Sequence, residues 1–170
     1  MKRVMIVGGA GSGKSTLARI IGQRTRLPVH HMDHIHWMPG WVARPRDLRR
    51  EMALEVERGP RWIFEGGFST TYQHRMSRAD TVVWLDLPVT LRMWRVTKRL
   101  LINWGQRRPD MAEGCHEGLH SETWAFYRWI WDTRTTGRVR LTELIDTAPE
   151  GVAVHHLMSR ADVRTFLRAL

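Results

Sequence analysis

Residues 8–16 read GGAGSGKST. Gly8, four intervening residues, Gly13, Lys14 and Ser15 satisfy the pattern G-x-x-x-x-G-K-S/T. Glycines tolerate positive φ and let a backbone wrap closely round a phosphate. The N–H groups of Gly8, Gly9, Ala10, Gly11, Ser12 and Gly13, with those of Lys14, Ser15 and Thr16 at a helix start, then meet negative charge. Lys14 is expected to reach the β and γ phosphates of ATP, and Ser15 to offer a hydroxyl to Mg2+. Asp86, which closes the run TVVWLD, is the candidate for the second Mg2+ contact, direct or through water. The competing reading of Asp86 is an acidic residue at the N-terminus of the next helix.

A second constellation is HHMDHIHW, residues 30–37, with four histidines round Asp33. If the segment is extended, His34 and His36 point the same way and suggest a metal. Its place at the carboxyl end of a strand suggests instead that Asp33 orients or deprotonates an acceptor hydroxyl. Trp37 and Trp41, either side of Pro39-Gly40, are then candidates for ligand contact. Arg75 and Arg78 are candidates to hold a charged group on the acceptor. A further metal candidate is Cys115 with His116 and His120, completed by Glu113 or Asp110, although no C-x-x-C pair is present.

The elements that must position these residues alternate. Apolar runs at 3–9, 28–32, 61–67, 79–88 and 151–157 read as strands. Amphipathic stretches at 14–25, 45–59, 89–102, about 121–146 and 159–170 read as helices, the last capped by Ser159. Pro45 suits the first turn of its helix and Gly59 the stop. Such alternation predicts βαβ units and a single domain with a parallel sheet covered on both faces. Residues 103–120, with glycines at 105, 114 and 118, read as a mobile lid. The long helix would carry Trp124 and Trp131 on one face, read as core or lid packing.

The chain has 170 residues, 42% of them apolar, which suits one domain with one sizeable core. No apolar run approaches the roughly 20 residues of a membrane helix. A single cysteine fits a reducing cytoplasm. The net charge is +10, and 24 of the 27 basic residues are arginines, whose forks match phosphate oxygens. This charge admits a nucleic acid backbone or a small phosphorylated ligand as partner. Between Asp86 and Asp110 there is no acidic residue, whereas Arg92, Arg95, Lys98, Arg99, Arg107 and Arg108 lie there. That block falls where a lid is expected. No helix-turn-helix, zinc finger or basic tail accompanies it, so a nucleic-acid-associated ATPase or regulator is the second reading. The sequence sets no oligomeric state.

The loop, the length and the strand pattern resemble the nucleotide and small-molecule kinases of the P-loop class, such as adenylate kinase and shikimate kinase. A closer resemblance spans nearly the whole chain. The segments MKRVMIVGGAGSGKSTLAR, LPVHHMDHIHWMPGW, WIFEGGF, RADTVVWLDLP and RRPDMAEGC look like the bacterial topology modulation protein family. Met32 and Gly67 stand where that family usually has leucine and often asparagine. The resemblance implies a three-layer α/β/α P-loop NTPase fold with five parallel strands in the order 2-3-1-4-5, binding ATP and Mg2+ and phosphorylating an unnamed small acceptor. It implies that Arg95 and Arg99 serve the base and phosphates, as in adenylate kinase. It implies that Arg108 is a lid arginine, and that Asp33 with Gly66 and Gly67 binds the acceptor, as in shikimate kinase.

Overall fold

The computed structural model describes residues 1–119 and 123–170. Five strands form one sheet: β1 (Arg3–Gly8), β2 (Val29–His31), β5 (Trp62–Glu65), β6 (Thr81–Leu85) and β7 (Ala153–Leu157). All neighbours pair in parallel, in the order β2-β5-β1-β6-β7. Counted within this sheet alone, that is the expected 2-3-1-4-5. The labels differ because the chain also forms a small antiparallel hairpin, β3 (Trp37–Met38) and β4 (Val42–Ala43), which the sequence reading did not foresee.

Period-two alternation on the strands sends side chains to two cores. Met5, Val7, Trp62, Phe64, Val82 and Trp84 face one side. There they meet α3 (Arg46–Arg58), α4 (Tyr72–Arg78) and α7 (Arg134–Asp146) through Ala53, Met76 and Leu144. Val4, Ile6, Ile63, Val83 and Leu85 face the other. They pack on α1 (Lys14–Thr25) through Leu17, Ala18 and Ile21, and on α8 (Arg160–Arg168) through Phe166. Helices on both faces make three layers. The N-terminus of α8 closes as a capping box, with Asp162 N donating to Ser159 Oγ (3.1 Å) and Ser159 N to Asp162 Oδ2 (2.9 Å).

Two local expectations change, and a stretch the sequence analysis left unassigned, 68–78, is structured. The segment after β2 is a short helix, α2 (Met32–His36), so His34 and His36 do not sit on one side of an extended strand. The chain after β5 makes a 3-10 turn, Ser69–Thr71, and then α4. The long helix of 121–146 is two, α6 (Thr123–Asp132) and α7, broken at Thr133. There Trp129 O accepts from both the N–H (3.0 Å) and the Oγ1 (2.6 Å) of Thr133, and Arg134 Nη1 donates to Trp131 O (2.7 Å). Among the described residues no helix is long and apolar enough to cross a membrane.

Candidate active site

The phosphate loop runs from the end of β1 to the start of α1. Gly11 has φ +77, and a Cβ there would lie 2.4 Å from Arg92 O, so neither the backbone angle nor the space admits a side chain. Gly13, with φ +99, turns the chain into α1, whose first turn holds no acidic residue. The helix start is therefore free to face an anion. Lys14 Nζ donates to Gly9 O of the same loop (3.1 Å). Burial lowers the Lys14 pKa from its ordinary value, while Glu65 and Asp33 oppose that shift. Ser12 Oγ is buried and has no hydrogen-bond partner among the described residues.

Three arginines of α5 (Val89–Ile102) close on this loop. Arg92, Arg95 and Arg99 stand at i, i+3 and i+7, one stripe of the helix. The Arg92 guanidinium lies so close to Gly9 that a Cβ there would be 1.7 Å from its Nη1. Arg95 Nη1 donates to Ser12 O (2.9 Å). Arg99 Nε pairs with Glu117 (3.3 Å), and burial, then Arg108, lowers its pKa. Arg95 thus touches the phosphate loop directly, while Arg99 is paired with Glu117 beside it. Arg92, named in the sequence only as part of the basic block, belongs to the same stripe, and its spacing to the other two marks it.

A single cleft of about 1980 Å³ joins the loop to the other side of the crevice and is lined by Lys14, Asp33, Trp37, Glu65, Gly66, Gly67 and Arg108. Asp33 enters it from α2. Burial and the Glu65 charge raise the Asp33 pKa above the ordinary carboxylate value, with Lys14 and Arg108 pulling against them. Glu65, at the end of β5, is buried and meets His31 Nδ1 at 2.7 Å. Gly66 has φ +110, and a Cβ there would touch Met32 Cβ at 2.6 Å. Only glycine lets the chain leave β5 past α2. Trp37 packs edge-on against Trp41, ring centres 5.5 Å apart.

Residues 103–119 fold back on themselves between α5 and α6, with Gly105 N donating to Glu117 O (2.8 Å) and Glu117 N to Gln106 O (2.9 Å). Arg108 is held by two acids of this segment, Nε on Glu117 (2.5 Å) and Nη1 on Asp110 (2.6 Å). Burial would raise the Asp110 pKa, but Arg108 and hydrogen bonds, including one from the Ser15 side chain, bring it below the ordinary value. The β3–β4 hairpin grips the same segment. Trp41 Nε1 donates to His116 O (3.1 Å), Gly40 N to Gly114 O (3.3 Å), Cys115 Sγ to Met38 O (3.4 Å) and His34 Nε2 to Pro109 O (3.2 Å). Trp41 itself adopts φ +63, unusual for a bulky residue.

Some sequence candidates lie elsewhere. Arg75 is fully buried away from the cleft. Its Nε donates to Glu57 (2.9 Å), its Nη1 to Gly66 O (3.0 Å), and its guanidinium stacks 3.8 Å from the Phe64 ring centre. Its contacts are thus to the protein's own groups, behind Gly66. Arg78 donates to the carbonyls of Glu57 (3.4 Å) and Arg58 (3.1 Å), binding the C-terminus of α3. Asp86 does lie by the loop, since Leu85 pairs with Gly8, but Arg138 Nε (2.8 Å) and His156 Nε2 (3.0 Å) hold its carboxylate. The carboxylate that meets Ser15 is Asp110. No group of three or more His, Cys, Asp or Glu converges as a metal site among the described residues, and His120 lies outside them. The sequence reading missed Glu65, although a carboxylate ending the buried run WIFE was a usable signal. It had no means to see the His31 contact, which joins residues 34 apart.

Comparison with solved structures identifies the fold. The chain is similar to shikimate kinase from Acinetobacter baumannii in complex with shikimate, at 16% identity over 99% of this chain and 90% of that one, TM-score 0.60. It is similar to shikimate kinase from Bacteroides thetaiotaomicron, at 16% identity over 99% and 95%, TM-score 0.56. Deoxyadenosine kinase from M. mycoides with bound dATP gives 11% identity over 98% and 97%, TM-score 0.56. No family model matches the chain, and no curated protein matches its sequence. At these identities the likeness speaks for the fold alone: the chain has the α/β fold of the P-loop kinases, with its five-stranded parallel sheet.

Proposed function

We propose that the chain is an ATP-dependent phosphotransferase acting on a small hydroxylated acceptor. The observation that carries this reading is one cleft with the phosphate loop and Lys14 at one end and Asp33, beside Glu65, at the other. Arg92, Arg95 and Arg99 supply positive charge along the loop. The donor set also fits Mg2+, which commonly keeps several waters and takes one or two carboxylates with substrate phosphates. Ser15 and Asp110 would hold it, and it would neutralise charge on the β and γ phosphates. In the reaction the acceptor oxygen bonds to the γ phosphorus, the bond from that phosphorus to the β-γ bridging oxygen breaks, and ADP leaves. The acceptor proton goes to Asp33, whose raised pKa suits it as a base. Lys14 and the arginine stripe steady the phosphates, and the lid excludes water that would otherwise hydrolyse ATP. The resemblance to the topology modulation family, and a cytoplasmic location, belong with this reading. Arg92 and Arg95 of α5 turn onto the chain's own phosphate loop, which favours a kinase over a nucleic-acid grip.

The test is transfer of labelled γ-phosphate from ATP to a small-metabolite extract. We expect a labelled phosphoester with the native chain and none with Lys14→Ala. Steeply salt-dependent DNA retention with no phosphoester would favour the nucleic-acid reading instead.

A further inference from the structure

We propose that the acceptor is a hydroxyl compound carrying no carboxylate or phosphate of its own, and that Glu65, held by His31, is the residue that rejects anionic candidates. This rests on the phosphotransferase reading and names its substrate class.

The acceptor end of the cleft is built from acids. Asp33 and Glu65 both line it, on either side of the β2–β5 edge. His31 and Glu65 are register partners across that edge, and the 2.7 Å contact uses only Oε1 of Glu65. Among the described residues, neither the second oxygen of Glu65 nor either oxygen of Asp33 accepts a hydrogen bond. Ionised carboxylates only accept, so these open oxygens call for donors: hydroxyl, amine or amide hydrogens on the ligand. A carboxylate or phosphate on the acceptor would bring further acceptor-only oxygens and a like charge. Lys14 offsets the two acids while it rests on Gly9, but it is the group expected to turn to the ATP phosphates.

The cations nearby are committed. Arg44 donates to the carbonyls of His34 and Ile35, Arg46 to Thr70 Oγ1 (3.1 Å), and Arg49 to the His36 ring (3.1 Å). None of the three lines the cleft, and neither do Arg75 and Arg78. On the α7 side, Arg134 donates to Trp131 O and stacks on that ring, while Arg138 is paired with Asp86. Arg108 and Arg99 line the cleft and their charges reach Asp33, but both are paired with acids, Arg108 with Glu117 and Asp110 and Arg99 with Glu117. Arg140, exposed on α7, is one of the cations left at the rim, with Arg19, Arg160 and Arg164 further along the cleft. Rejecting a wrong partner by a buried like charge is an effective route to specificity.

The experiment uses the full chain with ATP and Mg2+. Calorimetry first establishes ATP binding. Labelled γ-phosphate transfer is then followed with matched acceptors: glucose, glucosamine and gluconate; adenosine and adenosine monophosphate; and shikimate. We expect the neutral or amine member of a set to be used on the order of 100-fold better in kcat/KM than its anionic counterpart. Glu65→Gln, checked for folding by thermal unfolding, should narrow that ratio by about tenfold. Equal or better use of an anionic member overturns the inference, and its loss in Arg140→Ala would identify the cation responsible. An unchanged ratio in Glu65→Gln overturns the role given to Glu65. ATP binding with no transfer to any neutral or amine member overturns the substrate class while leaving the nucleotide site standing. Absence of both ATP binding and transfer overturns the phosphotransferase reading itself.

Discussion

Arg75 separates a structural from a ligand-binding account of the acceptor side. Arg75 and Glu57 are both 0% exposed, and their contact is 2.9 Å. Glu57 also accepts from Thr71 Oγ1 and His74 Nδ1, each at 2.7 Å. Arg75→Met keeps much of the volume but leaves the Glu57 carboxylate buried with only those two partners. Breaking a buried pair in this way costs about 3–5 kcal/mol. Domains of this size have roughly 5–15 kcal/mol in total. At about 2–4 °C per kcal/mol, Tm should fall by about 6–20 °C. Adding Glu57→Gln removes the stranded charge, so the double variant should lose less than the sum of the single changes. Urea and thermal unfolding of the three variants measure this. A loss below about 1 kcal/mol in Arg75→Met, together with a sharply raised acceptor KM, would refute the reasoning and return Arg75 to the ligand.

Asp33→Asn should abolish most transfer, by about 10²–10⁴-fold, leave ATP affinity nearly unchanged, and raise Tm at neutral pH. The folded Asp33 pKa is raised, so its contribution to stability is fullest below the ordinary carboxylate pKa and is lost as pH rises through the raised value. The variant should flatten that fall in Tm between acid and neutral pH; a lower Tm than the native chain at pH 7 would contradict the sign. Trp41→Phe removes the donor to His116 O, a bond of about 0.5–1.5 kcal/mol net, and should increase hydrogen exchange in 105–119 without unfolding the sheet. Unchanged exchange there would show that the hairpin does not restrain the lid. Gly11→Ala meets both a positive φ and the Arg92 carbonyl, and should cost nucleotide binding while the circular dichroism of the fold persists. Retained ATP affinity would mean that the loop tolerates a side chain after all.

What the sequence revealed was what is encoded locally. The apolar runs of β1, β5 and β6 are buried on both faces and read as strands without help from distant residues. The phosphate loop and the Ser159 cap are equally local. What stayed hidden depends on partners far along the chain. Nothing near Arg75 announces Glu57, and nothing near Asp86 announces Arg138 and His156, so their availability to a ligand could not be judged. The five-residue helix carrying Asp33 is too short to show periodicity and is fixed by packing of Met32 and Ile35. The break at Thr133 falls inside an otherwise helical pattern, with no Pro or Gly at it to mark it.

Calorimetric titration of Mg2+-ATP into the native chain and into Lys14→Ala probes the nucleotide phosphate site built round Lys14. We predict saturable binding at one site per chain. In the variant, whose thermal unfolding should remain cooperative, affinity should be weaker by at least about tenfold, or about 1.4 kcal/mol. No binding by the native chain, or equal affinity in the folded Lys14→Ala chain, would contradict a phosphate site there.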